Sequence, residues 1–513
     1  MKATARERHA LYYLELAQGG RSNWQQIDLE YAQVRRAWHW MASATNESFM
    51  LPYVQTLFPF QETRGLWAEA VTWIRRALPP AEAPTRHRPA TGVLLSDLGL
   101  AYYRLGDARQ AIECYEEALK IARDAGDLRA EGDRLGNLGL AYMQLGEMPR
   151  ATEHFQQALV LHRGLGDRGK EANWLGNLGL IHVNRGEIHR GIEYHQEALR
   201  ISEELGDRRS EGADLGNLGL AYAALGELST AISYFERALQ IAREIRDRRN
   251  EGAWLGNLGR SRLDLAERER AVSSFHDALT IARDIGDRPS EGAWLSNLGK
   301  AYLDLGDAQK AIEYVTQAVE IARDVGDVRA QGIRTGILGT GLADLGDLIG
   351  AVTLLERAVE MARFTGDRQN EAAWLSELGR LHQRQHNPTE AIRRFEEALA
   401  IARQIGDRWG ESLRLGRLGA AYLRLDQVEK AADHYSQALA ISREIGDHES
   451  EAQYGWCLAT LLEREGDLER ALELMRRTVQ LERAAELPDA ERHSTYVGRL
   501  QSGLLQLGKR GQS

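Results

Sequence analysis

The chain of 513 residues carries 65 lysines and arginines against 75 aspartates and glutamates, a formal net charge of −10. This balance argues against a general nucleic-acid binder, because such proteins usually carry a basic excess or a basic stripe. The two cysteines, Cys114 and Cys457, form no disulfide framework or metal motif, so a reducing cytoplasm is expected. No apolar stretch approaches the roughly 20 residues that a membrane-spanning helix needs, and Met1 to Gln18 lacks a long apolar run.

Residues 1–78 differ from the rest of the chain and are predicted to form a helical connector. Residues 51–78 have the spacing of a degenerate helical repeat, and prolines between Pro79 and Pro89 predict a break at 79–90. The first part of the connector shows one apolar stripe at helical spacing, made of Ile27, Tyr31, Val34, Trp38 and Met41.

From about residue 91 to residue 484 the sequence repeats every 40 residues. A fixed period of this size is typical of a solenoid, in which each repeat buries its apolar face only by stacking on its neighbours. Within each repeat the apolar residues show helical spacing twice, which predicts two amphipathic helices. The sequence therefore predicts an all-α solenoid of antiparallel helix pairs, with about ten 40-residue repeats plus helical caps.

Glycine and aspartate mark the boundaries of these helices. Gly166 is predicted to end a second helix in the left-handed conformation, and Asp167 to cap the next helix through its side chain. Gly139 stands in mid-helix, where glycine costs about 1 kcal/mol relative to alanine. Because this glycine recurs in several repeats, we expect it to allow close packing between the paired helices. After the array, residues 485–513 are predicted to form a capping helix with an apolar face of Tyr496, Val497, Leu500 and Leu504.

This pattern resembles the tetratricopeptide repeat, whose common unit is about 34 residues long. Counting from Gly132 as position 1, that family places small residues at positions 8, 20 and 27 and aromatic residues at 11 and 24. Here these are Gly139, Ala151, Ala158, Tyr142 and Phe155. The resemblance implies a right-handed superhelical solenoid whose concave groove is lined by the first helix of each repeat.

The 40-residue unit with its L-G-N-L-G core is similar to the variant found in Pins-type scaffolds and in bacterial signalling ATPases. The opening R-H-A-L-Y-Y-L-E-L-A and the later I-D-L-E-Y-A-Q-V-R-R-A-W-H-W resemble the helical segment that joins a nucleotide-binding switch module to its repeat sensor in bacterial STAND ATPases. This resemblance implies a sensor array, with the switch module N-terminal to this chain or separate from it.

Two sets of side chains recur at fixed phase on the first helices and are the candidate ligand groove. Asparagine at position 6 both donates and accepts hydrogen bonds, so it can hold the backbone of an extended peptide. Trp and Arg at position 3 are common interface anchors. The position-6 residues are Asn137, Asn177, Asn217, Asn257 and Asn297. The position-3 residues are Arg134, Trp174, Asp214, Trp254, Trp294, Arg334, Trp374 and Arg414.

The alternative is that the asparagines bridge adjacent helices and the tryptophans fill the seam between repeats. Further along the array the candidate groove face of the first helices carries charged side chains. Arg260 and Lys300 have an aspartate four residues on, whereas Arg380 and Arg384 do not. Nor do Arg414 and Arg417, so an acidic ligand segment is predicted near residues 380–417.

No catalytic, cofactor or metal site is predicted. Gly164 to Lys170 fits G-x-x-x-x-G-K, but Glu171 stands where Ser or Thr must hold magnesium, and a helix rather than a strand precedes the loop. His382 and His386 are four residues apart without the glutamate of H-E-x-x-H. We therefore expect a non-enzymatic chain.

The sequence favours a repeat array that binds a protein or peptide in its concave groove. By resemblance, it would be the sensing part of a bacterial signalling or defence ATPase. Two alternatives stay open: a freestanding scaffold that joins two partners, and an accessory recognition domain of an enzyme whose catalytic module lies elsewhere. No nucleic acid, membrane or cofactor is expected as a partner.

Overall fold

The computed structural model describes residues 4–43, 47–80, 83, 88–485 and 487–510, with the side chains at 21–22, 47–48 and 503–510 excepted. Over these residues the chain forms α-helices, one short 3-10 helix and no strand. It divides into two compact units, an N-terminal body (Met1–Asn250) and a C-terminal body (Glu251–Ser513). The all-α class of consecutive packed helix pairs is thereby confirmed.

In the N-terminal body a helical segment, the predicted connector, precedes the first regular repeats. The connector contains α1 (Ala5–Gln18), a 3-10 helix (Gly20–Asn23), α2 (Trp24–Leu29), α3 (Tyr31–Ser43), α4 (Glu47–Thr63) and α5 (Trp67–Ala77). The repeats follow as α6 (Pro89–Arg104), α7 (Ala108–Asp124), α8 (Leu128–Gln144), α9 (Met148–Gly164), α10 (Arg168–Asn184), α11 (Ile188–Leu205), α12 (Arg208–Ala224) and α13 (Leu228–Glu244).

The C-terminal body continues the same alternation, beginning within α14 (Arg248–Asp264). The next helices are α15 (Arg268–Asp284), α16 (Arg288–Asp304), α17 (Ala308–Val325), α18 (Val328–Asp344), α19 (Leu348–Thr365), α20 (Arg368–Arg384) and α21 (Pro388–Ile405). The last are α22 (Arg408–Arg424), α23 (Val428–Ile445), α24 (His448–Glu465), α25 (Leu468–Ala484) and α26 (Ala490–Arg510).

The predicted apolar stripe of the connector is buried but divided between two helices. Ile27 lies on α2, whereas Val34, Trp38 and Met41 lie on α3. Trp38 stacks on Trp73 of α5 with ring centroids 5.0 Å apart, which packs α3 against α5 within the connector. Much of the predicted break at 79–90 lies outside the described residues, and the predicted segment boundaries stay predictions.

Close packing of each helix pair explains the mid-helix glycines. A Cβ added to Gly139 would lie 2.7 Å from the Phe155 ring, and one added to Gly219 would lie 2.7 Å from the Phe235 ring. Since real Cβ atoms avoid such distances, position 8 must lack a side chain wherever position 24 is a large aromatic. The predicted reason for these glycines is confirmed.

The turns between helices also follow the sequence prediction. Gly166 has φ of +68°, and the Asp167 side chain accepts a hydrogen bond from the Lys170 amide at 3.3 Å. Where glycine is missing, Arg246 takes the same left-handed conformation with φ of +57°. The turn geometry therefore persists without glycine, although a side chain with a Cβ is strained there.

The C-terminal helix predicted from Asp489 to Leu507 is present as α26. Val497 is buried in a cluster with Met475 and Val479 of α25, and Leu500 packs against the same cluster. Leu504 lies outside the described side chains. The helix thus covers the apolar face of the last repeat, as a cap must do in a repeat array.

Candidate ligand-binding face

The position-6 asparagines lie on the first helix of each repeat and are half-buried, so part of each amide reaches the surface. Asn177 donates from Nδ2 to the backbone oxygen of Asn173 on its own helix, at 2.9 Å. Asn257 accepts through Oδ1 from Arg260 Nη2, at 3.0 Å and three residues away. These two contacts are made within one helix, so they do not bridge neighbouring helices. Asn137 and Asn217 in the N-terminal body and Asn297 in the C-terminal body share this half-buried state.

Leucines extend the asparagine column in the N-terminal body. Leu140, Leu180 and Leu220 follow their asparagines by three residues, so they share a helix face with them, and they are half-buried as well. We call this surface of the N-terminal body the ladder face. It combines amide groups with apolar side chains.

The ladder face begins with an acid that the sequence analysis did not single out. Asp97 stands at position 6 of the first regular repeat, in phase with Asn137. Desolvation raises the pKa of this half-buried carboxyl to about 7, although the Arg134 guanidinium acts in the opposite direction. Arg134 is half-buried on the next first helix. The sequence alone could have identified Asp97, because it lies 40 residues before Asn137 and so occupies the same repeat position.

The position-3 tryptophans pack into the seams between consecutive repeats of one body. A Cβ added to Gly136 would lie 2.2 Å from the Trp174 ring, and one added to Gly256 would lie 2.1 Å from the Trp294 ring. Trp374 covers Gly336 in the same way, at 2.4 Å. Trp174 and Trp254 are buried, whereas Trp294 and Trp374 are half-buried. The glycine at position 5 thus provides the space that the next repeat's ring fills.

The other position-3 residues are also turned inward. Arg334 is 7% exposed and donates from Nη1 to the Ala318 carbonyl at 2.8 Å, and burial lowers its pKa. Arg414 is 6% exposed, with Nη1 3.6 Å from Asp407 Oδ2. Asp214 is buried, accepts a hydrogen bond from Ser202 Oγ at 2.9 Å, and has its pKa raised to about 7 by desolvation.

In the C-terminal body the charged part of the face has an internal partner that the sequence analysis overlooked. Arg380 Nε lies 2.9 Å from Glu377 Oε2, and Arg417 Nη1 lies 3.6 Å from Glu377 Oε1. Arg417 also donates to Ser376 Oγ at 2.6 Å, and burial lowers its pKa. The sequence analysis considered only acids four residues ahead of each arginine, and none stands there. Glu377 is three residues before Arg380 and one repeat before Arg417, so these acidic partners lie outside that spacing.

A second periodic feature, also missed, is a buried glutamate at the start of many first helices. Glu171 is clamped by Arg163 Nε at 2.7 Å and by Arg168 Nη1 at 2.6 Å. Burial alone would raise the pKa of Glu171, but these hydrogen bonds outweigh it and hold the pKa below its usual value. Buried glutamates with arginine partners recur as Glu211, Glu291, Glu371, Glu411 and Glu451.

This ion triad links the end of one repeat to the start of the next. Glu171, which follows the G-x-x-x-x-G-K pattern in the sequence, is therefore a structural residue. The pattern itself spans the turn between α9 and α10. Within the part of the chain that the structure describes, no group of three His, Cys, Asp or Glu side chains could hold a metal ion. No described helix is both long and apolar enough to cross a membrane.

The fold resembles those of two solved helical-repeat proteins. The apo form of RapI matches with a TM-score of 0.55 at 15% identity, over 70% of this chain and 98% of that one. A STAND protein with a tetratricopeptide repeat sensor from Pyrococcus horikoshii matches with a TM-score of 0.52 at 18% identity. That match covers 70% of this chain and 55% of the other, so this chain spans about half of the STAND protein. At these identities the likeness shows the fold alone.

No curated protein sequence matches the chain. The family model for the tetratricopeptide repeat, by contrast, matches most of its length. The matched residues are 61–124, 134–204, 171–244, 250–324, 333–404 and 412–491, and a second model of the same repeat matches 96–167. Such repeats are in general scaffolds for protein interaction rather than catalytic folds. The chain belongs to the tetratricopeptide repeat family.

Proposed function

We propose that the ladder face of the N-terminal body binds an extended segment of a partner protein. The observation that carries this proposal is the column of half-buried amides at Asn137, Asn177 and Asn217, in phase with half-buried leucines. An amide side chain can pair with both the N–H and the C=O of a bound backbone, independently of the ligand's sequence. The leucines would contact the ligand's apolar side chains, and Asp97 and Arg134 would bound the column at its first end.

In the C-terminal body we propose a more polar ligand contact, formed by Asn257, Asn297, Arg380 and Arg417. The two arginines share one carboxylate, that of Glu377, so this stretch keeps one excess positive charge. A single acidic side chain on the ligand would match it, instead of the run of acidic residues that unpartnered arginines would favour. The buried position-3 residues Trp174, Trp254, Arg334 and Arg414 would then act indirectly, by fixing the spacing of the repeats.

For the wider role we propose the sensor part of a bacterial signalling or defence ATPase. Two observations support this: the N-terminal segment resembles the STAND connector, and the Pyrococcus horikoshii STAND protein, which carries a repeat sensor, has a similar fold. Ligand binding would be transmitted to a nucleotide-binding switch module. A freestanding scaffold is the second candidate, favoured by the match that spans 98% of RapI. Removal of residues 1–78 should uncouple a sensor but leave a scaffold's binding intact.

The test of the ladder face begins with capture of partners by the purified chain, followed by their identification by mass spectrometry. The affinity of each purified partner is then measured for a variant carrying Asn137→Ala, Asn177→Ala and Asn217→Ala. Each lost hydrogen bond contributes about 0.5–1.5 kcal/mol, so binding should weaken by about tenfold or more. Circular dichroism must show full helicity for the variant.

A matched control removes amides of similar polarity from the second helices. Gln156→Ala and Gln240→Ala change exposed residues on α9 and α13, so partner affinity should stay unchanged. If the ladder variant binds its partner as tightly as the intact chain, the asparagines are not ligand contacts and the proposal fails. If both variants lose affinity equally, the effect is not specific to the ladder face.

A further inference from the structure

The end of the C-terminal body departs from the repeat at positions that are otherwise small. Position 5 is Gly or Ser in the preceding repeats but Trp456 in the last one. Position 31 is Ala or Ser in all but one of the preceding repeats, yet it is Glu482 here. Both residues lie close to His493, at the start of α26. The two departures occur together in space, since both contact His493, so they are not isolated substitutions.

Together they line a cavity of about 370 Å³ between α24, the end of α25 and the start of α26. This volume lies within the range of small-molecule and side-chain pockets, about 300–1,000 Å³. The polar and aromatic lining includes Glu449, Gln453, Trp456, Glu482, Asp489 and His493.

The hydrogen bonds of His493 orient Glu482. His493 Nδ1 lies 2.7 Å from Glu482 Oε1, and His493 Nε2 lies 3.3 Å from Arg492 Nη2. Because a carboxylate only accepts, Nδ1 donates to Glu482 Oε1. The imidazole therefore satisfies one of the two oxygens of Glu482.

The second oxygen of Glu482, Oε2, is buried without a hydrogen-bond donor among the described residues, and the whole residue is 4% exposed. Buried carboxylate oxygens are normally paired, because desolvation without a hydrogen bond is unfavourable. A ligand N–H that entered the cavity would supply the missing donor.

The remaining lining selects the charge of that ligand. Three carboxylates, those of Glu449, Glu482 and Asp489, face a single guanidinium, that of Arg492. Arg492 Nη1 is 3.5 Å from Asp489 Oδ1, so its charge is already shared. Trp456 stacks on His493 with centroids 3.6 Å apart, which fixes an aromatic surface in the cavity wall. Aromatic faces attract cations, and carboxylates pair with them.

We propose that this cavity binds an organic cation with N–H donors, a guanidinium or alkylammonium group. The group could belong to an arginine or lysine side chain of a partner protein, or to a free amine. The inference is independent of the ladder face, which lies in the N-terminal body and is tested by different variants.

Isothermal titration calorimetry of the full chain with N-acetyl-arginine amide tests the charge requirement, with N-acetyl-citrulline amide as the uncharged isostere. The arginine compound should bind saturably and the citrulline compound at least about tenfold more weakly, as expected for loss of a charge-assisted hydrogen bond. Glu482→Gln should weaken arginine binding by a similar factor. Glu482→Ser, which restores the residue found at this position in the preceding repeat, should do the same in a chain that folds normally.

Glu473→Gln is the matched control, because Glu473 is exposed on the same helix α25 and is not part of the cavity lining. This variant should bind as the intact chain does. Equal affinity for the arginine and citrulline compounds, unchanged affinity in Glu482→Gln, or no saturable binding by the folded chain would each overturn the proposal. A short arginine peptide that binds more tightly than the capped amino acid would identify a partner side chain as the occupant. A linear diamine that binds more tightly would identify a free amine.

Discussion

The buried ion triads predict how a single charge supports the contact between consecutive repeats. In the C-terminal body, Glu291 accepts from Arg283 Nε at 2.9 Å and from Arg288 Nη1 at 2.6 Å. Glu291→Gln keeps the shape of the side chain but removes its charge. Charged hydrogen bonds contribute about 1.5–3 kcal/mol each, but both arginines are half-exposed and regain hydration when the charge is lost. We therefore expect a loss of about 1–3 kcal/mol in local stability.

Hydrogen exchange of the α16 amides is the appropriate assay, because stability in a repeat array is largely local and a global midpoint would average over it. A loss of about 1–3 kcal/mol corresponds to about 5- to 150-fold faster exchange at neutral pH. The double variant Arg288→Val with Glu291→Gln serves as the matched control. It copies the natural pair Val328 and Gln331 of the next repeat. It should recover part of the loss, because it removes the arginine that Glu291→Gln deprives of its nearer carboxylate, although the 3.6 Å contact of Arg288 with Asp324 is lost as well.

The same triad predicts a pH dependence. Burial would raise the pKa of Glu291, but its hydrogen bonds with Arg283 and Arg288 hold that pKa below the usual value. The stability that the carboxylate contributes is therefore complete above the unfolded pKa of about 4.3 and is lost as the pH falls through the lower folded pKa. The difference between the intact chain and Glu291→Gln should disappear under acid conditions. Equal α16 exchange at neutral pH, or a difference that does not change in acid, would refute this reasoning.

Two further substitutions test packing and desolvation at named positions. Gly219→Ala would bring a Cβ within 2.7 Å of the Phe235 ring and should destabilise α12 and α13 by about 1–3 kcal/mol, whereas Gly164→Ala meets no atom within 4 Å and should be neutral or stabilise by up to about 1 kcal/mol. Hydrogen exchange should become faster in α12 and α13 for Gly219→Ala and stay unchanged or become slower in α9 for Gly164→Ala, and slower exchange of α12 in Gly219→Ala would contradict the packing argument. Asp214→Asn should stabilise α12 at pH 8 by a few kcal/mol. The folded pKa of Asp214, about 7, lies above the unfolded value of about 3.9, so the intact chain loses stability as the pH rises from the unfolded pKa through the folded pKa. Hydrogen exchange at pH 8 and pH 4 checks this prediction, which requires the advantage to vanish at pH 4.

The repeat period, the helix pairs and the turns could be predicted from sequence because each depends on neighbouring residues. Gly166 and Asp167 specify a left-handed turn and a cap within a few residues, and Gly139 recurs at the phase of a close approach. Such local rules hold in each repeat regardless of what lies beyond it. Each single position is weak evidence, but the same pattern recurs in every repeat, and this recurrence makes the prediction of the fold class firm.

The direction of the position-3 side chains could not be predicted in this way. A groove and an inter-repeat seam both lie on the first helix, and phase alone does not separate them. The answer for Trp174 depends on Gly136, one repeat earlier, whose missing side chain makes room for the ring. The clamp of Glu171 was missed for a related reason. Arg168 is three residues before Glu171, an ordinary ion-pair spacing on one helix, but the second partner Arg163 is eight residues earlier across a turn, outside the three- and four-residue spacings of one helix.

These two cases indicate where function should be sought in such an array. Position 3 varies among Trp, Asp and Arg, yet most of these side chains are buried, so variation by itself does not mark a ligand contact. Position 6 keeps its asparagine through Asn297 and is half-buried throughout that run. A residue that is retained without being needed for packing is the better candidate, because solvent could accept many other side chains there. Glu482 is a candidate for a different reason. It places a buried carboxylate, one oxygen of which has no hydrogen-bond partner among the described residues, at a position where most preceding repeats have a small residue.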